Sequence, residues 1–317
     1  MRVVMLESLS VEEEIINDLA GELKSKGHEF VAYDDRVEDE DVIIERAADA
    51  DVLIITNLPL SKRVIESCPN LKFISVAFTG IDHIAVEACK EQGITISNAP
   101  GYSTHSVAEL AIGLIVSVMR NIVACDAATR EGKTREGLIG NELYGKTLGI
   151  IGTGSIGLRV AEIGKAFGCE LIAYSRSEKQ EAKDLGVTYA DLETVMSKSD
   201  IVSLHVPYTK ETEGLIDEEL ISLMKESSVF INTARGPIVD SEALANALNE
   251  GRIAGAGIDV FEMEPPITED HPLLNAQNTV VAPHVAFATP EAFYRRAQTV
   301  FENIINWDAG NPQNIMV

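Results

Sequence analysis

A glycine-rich turn stands between an apolar run and a helix-like segment near the middle of the chain. The run covers residues 148–151, the turn reads Gly152-Thr153-Gly154-Ser155-Ile156-Gly157, and the helical pattern continues to residue 167. The first glycine permits a tight turn, the second lets the backbone approach a pyrophosphate, and the third lets the helix pack closely on the strand. The helix N-terminus adds free N–H groups and a partial positive charge. The pattern therefore predicts a dinucleotide site, with a plain strand-turn-helix as the alternative.

The strand predicted at residues 170–174 bears on the choice of dinucleotide. Folds that bind NAD usually place an acidic residue near this strand end, where it accepts hydrogen bonds from the ribose. Here the strand leads into Ser175-Arg176-Ser177, with Lys179 close behind, and no carboxylate stands at its end. A guanidinium can bind a 2′-phosphate through two charge-assisted hydrogen bonds, so the sequence favours NADP(H), with NAD(H) possible. In the alternative interpretation, Arg176 stacks on the adenine or points to solvent.

Short apolar strands alternate with helical patterns along the chain, which is typical of parallel sheets covered by helices. Strands are predicted in the first part at residues 2–6, 29–33, 52–55, 73–76 and 95–97, and in the second at 147–151, 170–174, 201–204, 229–232, 255–258 and 279–282. Helical patterns cover residues 11–26, 39–48, 61–67 and 83–92, a long segment from Thr104, and a last segment from Pro290 to about residue 307. We therefore predict an α/β protein with two doubly wound parallel-sheet domains.

The alternation breaks at residues 98–103, just before the long helix, and we interpret this break as the passage between domains. The dinucleotide-binding domain is predicted at residues 100–288. The tail that follows is too short to form a domain, so we expect it to return to the first unit. The substrate domain is therefore predicted at residues 1–99 plus 289–317, a flavodoxin-like unit into which the Rossmann cofactor domain is inserted.

Composition restricts the class of partner. The net charge of −24 argues against nucleic acid. No apolar run approaches the roughly 18 residues of a membrane span. The four cysteines show neither a CxxC pair nor metal-ligand spacing, so we expect reduced thiols, a cytoplasmic location and no metal site. An anionic ligand would need a local positive site within this repelling field.

Three predicted strand ends in the second domain lead to reactive side chains. Arg235 follows the strand at 229–232, Glu264 the strand at 255–258, and His284 the strand at 279–282. Parallel strands present their carboxyl ends at one edge, so a guanidinium, a carboxylate and an imidazole would meet there. Such a set can bind a carboxylate, polarise a carbonyl and transfer a proton. Taken singly, each also has a plain structural interpretation, as a surface charge, a surface acid or a turn cap.

The order of these residues resembles the D-isomer-specific 2-hydroxyacid dehydrogenases. The glycine turn is followed by Asn232-Thr233-Ala234-Arg235-Gly236, by Asp259-Val260-Phe261 through Glu264-Pro265, and by Pro283-His284. The resemblance extends from Thr79-Gly80-Ile81-Asp82-His83 to Asn311-Pro312-Gln313-Asn314. It implies an oxidoreductase that transfers hydride between a nicotinamide cofactor and a small 2-oxo acid or D-2-hydroxy acid, such as glyoxylate or hydroxypyruvate. It also implies a homodimer formed through the cofactor domain.

The resemblance also implies how the substrate is bound. Arg235 binds the carboxylate and the keto oxygen, His284 is the acid and base, and Glu264 hydrogen-bonds His284 and stabilises its protonated form. Glu264 is preferred to Glu262 because it immediately precedes a proline, as in the family. The backbone N–H groups of Thr79 and Gly80 complete the carboxylate site. The implied cofactor contacts are Gly152, Gly154, Ser155, Ile156, Gly157, Ser175, Arg176, Thr233, Ala234 and Asp259.

Departures from the family pattern narrow the substrate. Bulky Phe78 and Phe287 are expected to shape the acyl pocket, and the segment at residues 57–60 supplies no cation for a substrate phosphate. A phosphoglycerate dehydrogenase is therefore an alternative rather than the main interpretation. A nucleotide-sensing corepressor of similar fold is a second alternative, which turnover with any 2-oxo acid would exclude. Oxidation of formate or phosphite is a third; formate enzymes of the family typically have Gln in place of Glu264.

Overall fold

Two parallel sheets organise the chain, one in each of two units. The computed structural model describes residues 1–263 and 266–317. Unit 1 comprises Met1–Ser103 and Ala288–Val317, and unit 2 comprises Thr104–Phe287. Glu264, predicted to hydrogen-bond His284, lies outside the described residues.

The strands lie close to where the alternating apolar pattern predicts them. They are β1 (Arg2–Met5), β2 (Glu29–Ala32), β3 (Val52–Ile55), β4 (Phe73–Val76), β5 (Thr95–Ser97), β6 (Thr147–Ile151), β7 (Glu170–Tyr174), β8 (Thr188–Tyr189), β9 (Ile201–Leu204), β10 (Val229–Asn232), β11 (Gly255–Ile258) and β12 (Thr279–Val281). Only β8 was not predicted. Its two residues are too few to give a recognisable alternation.

The helices depart further from the prediction. They are α1 (Glu13–Leu19), α2 (Gly21–Ser25), α3 (Glu40–Ala47), α4 (Lys62–Glu66), α5 (Val86–Gln92), α6 (Thr104–Met119), α7 (Ile122–Arg130), α8 (Ser155–Ala166), α9 (Gln180–Asp184), α10 (Leu192–Lys198), α11 (Glu218–Ser222), α12 (Ser241–Asn249) and α13 (Pro290–Asp308). The segment at residues 11–26 is two helices, and the segment at 83–92 becomes helical only at Val86.

The sheet of unit 1 has the order β2-β1-β3-β4-β5, and all its strand pairs are parallel. This is the flavodoxin-like order, with the reversal between β1 and β3. Helix α13 covers one face through buried Val300, Phe301 and Ile304. The Trp307 ring stacks on Phe73 of β4, with 4.8 Å between ring centroids. The C-terminal tail is therefore part of the core of unit 1.

The sheet of unit 2 has the order β12-β11-β10-β9-β6-β7-β8, again with parallel pairs throughout. Numbered within the unit, the strands follow the Rossmann order 3-2-1-4-5-6 with one further strand at the edge. The order reverses between β6 and β9. Together, the two sheets confirm the predicted fold class of two doubly wound units, with the Rossmann unit inserted into the sequence of the other.

Helices α6 and α7 are separated by a sharp change of direction. Asn121 adopts the left-handed backbone conformation, with φ of 53°, and ends the helical run that began at Thr104. In the described part of the chain, no single helix is long and apolar enough to span a membrane. Helices α6 and α7 are long and apolar enough only when taken together, and their axes differ in direction by 57°.

Candidate active site

Strand register brings five loops of unit 2 to one edge of its sheet. Ile151 pairs with Leu204, Leu204 with Asn232, Asn232 with Ile258, and Ile258 with Val281. Each of these residues is the last of its strand. The glycine turn and the segments that carry Arg235 and His284 therefore leave the sheet on the same side. At about 4.8 Å between neighbouring strands, the ends of β10 and β12 lie roughly 10 Å apart.

The three glycines of the turn differ in their steric surroundings. Gly152 has φ of 99°, and a Cβ at this position would lie 2.6 Å from the carbonyl oxygen of His205. A Cβ on Gly157 would overlap the carbonyl oxygen of Gly152, so helix α8 packs against the end of β6. Gly154 precedes α8, is exposed, and has open space where a Cβ would stand. The backbone is thus open to a pyrophosphate where the sequence predicts it, and no side chain of the described residues caps α8.

A tyrosine that the sequence analysis did not single out connects the glycine turn with the loop after β7. The Tyr189 hydroxyl donates to Thr153 Oγ1 at 2.9 Å and accepts from the Lys179 backbone N–H at 3.0 Å. In that loop Ser175 is half-buried and Arg176 is exposed. The only sequence signal for this bridge is a tyrosine in an inconspicuous two-residue strand, which is why the interaction was missed.

Arg176 shares its surroundings with an acidic side chain. Hydrogen bonds from Thr209 and from its own backbone, together with the positive charge of Arg176, lower the pKa of Glu211. Both side chains are exposed, so water and salt weaken their attraction. Arg176 is therefore available to a stronger anion such as a phosphate.

The turn after β10 is shaped by one asparagine. Asn232 Oδ1 accepts from the Ala234 N–H at 2.9 Å, and its Nδ2 donates to the Arg235 carbonyl at 3.1 Å. Arg235 is half-buried, and its Nη1 donates to the Ala234 carbonyl at 2.7 Å. Thr233 Oγ1 is buried and has no hydrogen-bond partner among the described residues. Such a group usually finds a partner in a bound ligand or water, which fits the predicted position of Thr233 at the cofactor.

The loop that carries His284 is held by a buried carboxylate. Asp259 is fully buried, and its two oxygens accept from the N–H groups of Val285 and Ala286, each at 2.9 Å. The Asp259 carbonyl also accepts from the His284 N–H at 2.8 Å. His284 itself has φ of 56°, an uncommon conformation for a residue with a side chain, and its half-buried ring lies edge-on to Phe287 at 5.3 Å. The Asp259 carboxylate thus holds the loop of His284, a role that its position in the sequence does not indicate.

Other acid and imidazole groups near this edge are occupied or neutral. Glu262 Oε2 lies 2.7 Å from His271 Nε2; burial opposes its ionisation, but hydrogen bonds from His271 and Ser241 lower the pKa of Glu262. His205 follows β9 and lies 2.8 Å from the Ser203 hydroxyl. Burial lowers the pKa of His205 to about 4, so this imidazole is neutral at physiological pH. His284 is therefore the better candidate for the proton carrier.

The loop after β4 in unit 1 holds Thr79 and Gly80. Among the described residues, the backbone N–H groups of these two residues have no acceptor. The Thr79 carbonyl accepts from Asn98 Nδ2 at 2.7 Å, and the Asn98 carbonyl accepts from Asn303 Nδ2 at 2.8 Å. Asn314 Nδ2 in turn donates to Asn303 Oδ1 at 2.8 Å. The C-terminal motif that contributes to the family resemblance thus fixes the loop with two available N–H groups.

A cation that sequence reasoning overlooked reaches the loop after β3. Arg36 Nη1 donates to Asn57 Oδ1 at 2.6 Å and to Glu7 Oε2 at 2.9 Å, and Arg36 also pairs with Glu38. Residues 57–60 supply no cation themselves, but Arg36 brings one from the segment after β2. Two carboxylates neutralise it, so a substrate phosphate would have to displace them. In the described residues, no group of three His, Cys, Asp or Glu side chains could hold a metal ion.

A Rossmann unit whose sheet edge presents a glycine turn, an arginine and a histidine is typical of nicotinamide-dependent oxidoreductases. Comparison with known proteins gives the family. Residues 112–286 match the model described as the NAD binding domain of D-isomer specific 2-hydroxyacid dehydrogenase. The glyoxylate reductase of Korarchaeum cryptofilum is 42% identical over 283 residues, 87% of this chain and 85% of that protein. The hydroxypyruvate reductase of Thermotoga maritima is 41% identical over 269 residues, 84% and 87% of the two chains.

Among solved structures, an acyclic imino acid reductase in complex with NADPH and D-Arg is similar, with a TM-score of 0.89, 31% identity and full coverage of both chains. The chain belongs to the D-isomer specific 2-hydroxyacid dehydrogenases. It is an NAD(P)-dependent oxidoreductase that transfers hydride between the nicotinamide and a 2-oxo or 2-hydroxy acid.

Replacing Asp259 with Asn tests its hold on the His284 loop. The amide can accept only one of the two N–H groups, and hydrogen bonds to a charged acceptor contribute about 1.5–3 kcal/mol each. We expect the free energy of unfolding in urea to fall by about 2–3 kcal/mol and turnover to fall with it. Asp240→Asn is the control, because exposed Asp240 caps α12 and asparagine caps helices equally well. Wild-type stability and turnover in Asp259→Asn would contradict this role.

Proposed function

We propose that the protein reduces small 2-oxo acids, such as glyoxylate and hydroxypyruvate, with NADPH. The observation that carries the proposal is the in-register edge of the unit 2 sheet, where the glycine turn, the Arg235 segment and the His284 loop emerge side by side. The glyoxylate and hydroxypyruvate reductases that the chain resembles support this choice of substrate. We further propose a cytoplasmic location, which the four free cysteines support.

The residues at this edge fit a nicotinamide dinucleotide. The open backbone at Gly154 and the N–H groups of Ser155 and Ile156 would hold the pyrophosphate. The Thr233 hydroxyl, which has no partner among the described residues, suits a polar group of the nicotinamide end. Ser175 and Arg176 would hold a 2′-phosphate. When bound, the nicotinamide supplies or accepts the hydride.

The chain's own groups bind the substrate and move the proton. Arg235 would bind the carboxylate and polarise the keto oxygen, and the two available N–H groups of Thr79 and Gly80 would hold the carboxylate. His284 would donate its proton to the keto oxygen during reduction and take it back during oxidation. Glu264 would stabilise the protonated imidazole.

Two features support a small, non-phosphorylated substrate. Phe78 and Phe287 would restrict the acyl group, each in its own unit. Arg36 is already neutralised by Glu7 and Glu38, so it offers little net charge to a phosphate. We therefore favour glyoxylate and hydroxypyruvate over phosphoglycerate. Steady-state kinetics with a panel of 2-oxo acids, with 3-phosphohydroxypyruvate included, tests this choice.

The role of His284 is tested by replacing it with Ala. Because general acid catalysis contributes roughly 10²- to 10⁴-fold, we expect kcat to fall by that factor while the Kd for NADPH, measured by fluorescence titration, is nearly unchanged. His105→Ala, at an exposed position of α6, is the control and should keep wild-type kinetics. Full turnover by His284→Ala would remove this residue from the mechanism.

The choice of cofactor is tested at Ser175 and Arg176. One lost charge-assisted contact of about 1.5–3 kcal/mol implies a preference of roughly tenfold or more. We expect kcat/KM with NADPH to exceed that with NADH, and Ser175→Asp combined with Arg176→Ala to reverse the order. Lys183→Ala, which removes an exposed cation of α9 that is paired with Glu178, should leave the ratio unchanged. A wild-type preference for NADH would mean that Arg176 does not bind a 2′-phosphate.

We also propose that the protein is a homodimer formed through unit 2. Helix α7 buries none of its residues, and Val123, Ile139 and Tyr144 are 59%, 87% and 78% exposed. Such apolar exposure within one segment is typical of an interface, and a second copy of the chain is the partner that the family resemblance favours.

A charge placed on this surface should weaken the dimer. We expect Val123→Asp combined with Ile139→Asp to shift the protein towards the monomer in sedimentation velocity, because two carboxylates would be desolvated at the interface. Leu223→Asp, at a 42% exposed apolar position elsewhere in unit 2, is the control and should leave the dimer intact. Wild-type protein that sediments as a monomer would exclude the proposed assembly.

A further inference from the structure

Helix α13 carries a buried arginine that the mechanism does not use. Arg296 is 2% exposed, and its Nη2 donates to the Leu9 carbonyl at 3.0 Å. A guanidinium keeps its charge in any protein environment. The residue therefore places a full positive charge inside unit 1.

No carboxylate of the described residues balances this charge directly. In the part of the chain that the structure describes, none lies within ion-pair distance of Arg296, and its Nε is buried without a hydrogen-bond partner. The nearby carboxylate of Glu7 is engaged by Arg36 and by the N–H groups of Thr56 and Leu58. Burying a charge without a close counter-charge is costly, so a stabilising role alone gives a poor account of Arg296.

Three aromatic rings surround the guanidinium instead. Its central carbon lies 4.6 Å from the ring centroid of Phe293, 5.5 Å from that of Phe78 and 5.9 Å from that of Tyr102. The rings of Phe78 and Tyr102 are themselves 6.1 Å apart. Phe78 directly precedes Thr79 and Gly80, whose N–H groups have no acceptor among the described residues. The buried charge thus lies next to the loop that is proposed to hold the substrate carboxylate.

We propose that Arg296 is a positioning residue of this loop, and that its charge supplies the positive potential that draws an anionic 2-oxo acid to Thr79 and Gly80. The proposal rests on the proposed function, since it concerns the same substrate. It meets a requirement set by the sequence, because a chain of net charge −24 repels an anion unless a cation acts locally. Burial among aromatic rings preserves the effect, since the field of a buried charge is screened far less than that of an exposed one.

The test compares two substitutions of Arg296. Arg296→Met keeps a long apolar side chain but removes the charge, whereas Arg296→Lys loses the planar fork and keeps the charge only at pH values below the pKa of the buried amine, so its binding is measured as a function of pH. For Arg296→Met we expect about a tenfold rise in the KM for glyoxylate, which corresponds to about 1.4 kcal/mol, with kcat and the KM for NADPH nearly unchanged. Arg296→Lys should stay within about threefold of the wild-type KM at pH values where the amine is protonated, because the positive charge then remains next to the loop.

Stability and binding without turnover separate this role from a structural one. We expect the Tm of Arg296→Met to equal or exceed that of the wild type, because replacing a buried, poorly compensated charge with an apolar side chain is often neutral or stabilising. Calorimetric titration with oxamate, an unreactive 2-oxo acid mimic, should show about tenfold weaker binding, in line with the KM. Arg46→Met is the matched control. Arg46 also lies over a tyrosine ring, but it is paired with Asp35, so its loss should leave oxamate binding unchanged.

Three results would overturn the inference. A lower Tm in Arg296→Met with unchanged oxamate affinity would assign the residue a structural role. An Arg296→Lys protein that folds but binds oxamate as weakly as Arg296→Met at every pH at which it stays folded would exclude the charge as the cause. Wild-type protein that turns over no 2-oxo acid would overturn the proposed function and this inference together, whereas normal wild-type turnover with unchanged affinity in Arg296→Met would overturn the inference alone.

Discussion

The in-register ending of parallel strands is the constraint on which the site depends. Parallel pairing gives every strand the same direction, and in unit 2 the strands β6, β9, β10, β11 and β12 also end at paired residues. Segments separated by more than 100 residues in sequence are thereby delivered to one edge of the sheet. Close backbone packing fixes this edge, since a Cβ on Gly157 would collide with the end of β6 and a Cβ on Gly152 would collide with the backbone after β9. Short loops after these strands are then enough to place the candidate site residues close together.

Those loops are held by buried polar groups that hydrogen-bond their backbone. The Asp259 carboxylate accepts hydrogen bonds from the backbone of the His284 loop, and the Asn232 amide makes hydrogen bonds to the backbone of the Arg235 turn. In unit 1, Asn98 and Asn303 hold the Thr79 loop in the same manner. Because a buried polar group without a partner costs free energy, each of these networks specifies one loop conformation. The fixed backbone then presents the side chains of Arg235 and His284 at the edge of the sheet.

Anion binding has to overcome the negative net charge of the chain. A protein of net charge −24 that binds anions needs cations whose charge is not already used. The charge of Arg36 is neutralised by ion pairs with Glu7 and Glu38. The charge of Arg296 is not neutralised in this way, because aromatic rings surround it and no carboxylate of the described residues pairs with it. Position and pairing therefore decide which cations act on a ligand.

The sequence by itself determined the fold class and the family. Strand periodicity is a local property of the chain, and eleven of the twelve strands of the described residues could be located from it, together with the glycine turn and the ordered motifs around Arg235 and His284. Tertiary structure decided what depends on contacts between distant residues. It brought Tyr189 to Thr153, Arg36 to Asn57 and the Arg296 charge to Phe78, and it gave Asp259 a role in holding the His284 loop. None of these pairs has a local pattern, because a hydrogen bond or a cation over a ring depends on how strands and helices pack rather than on spacing along the chain.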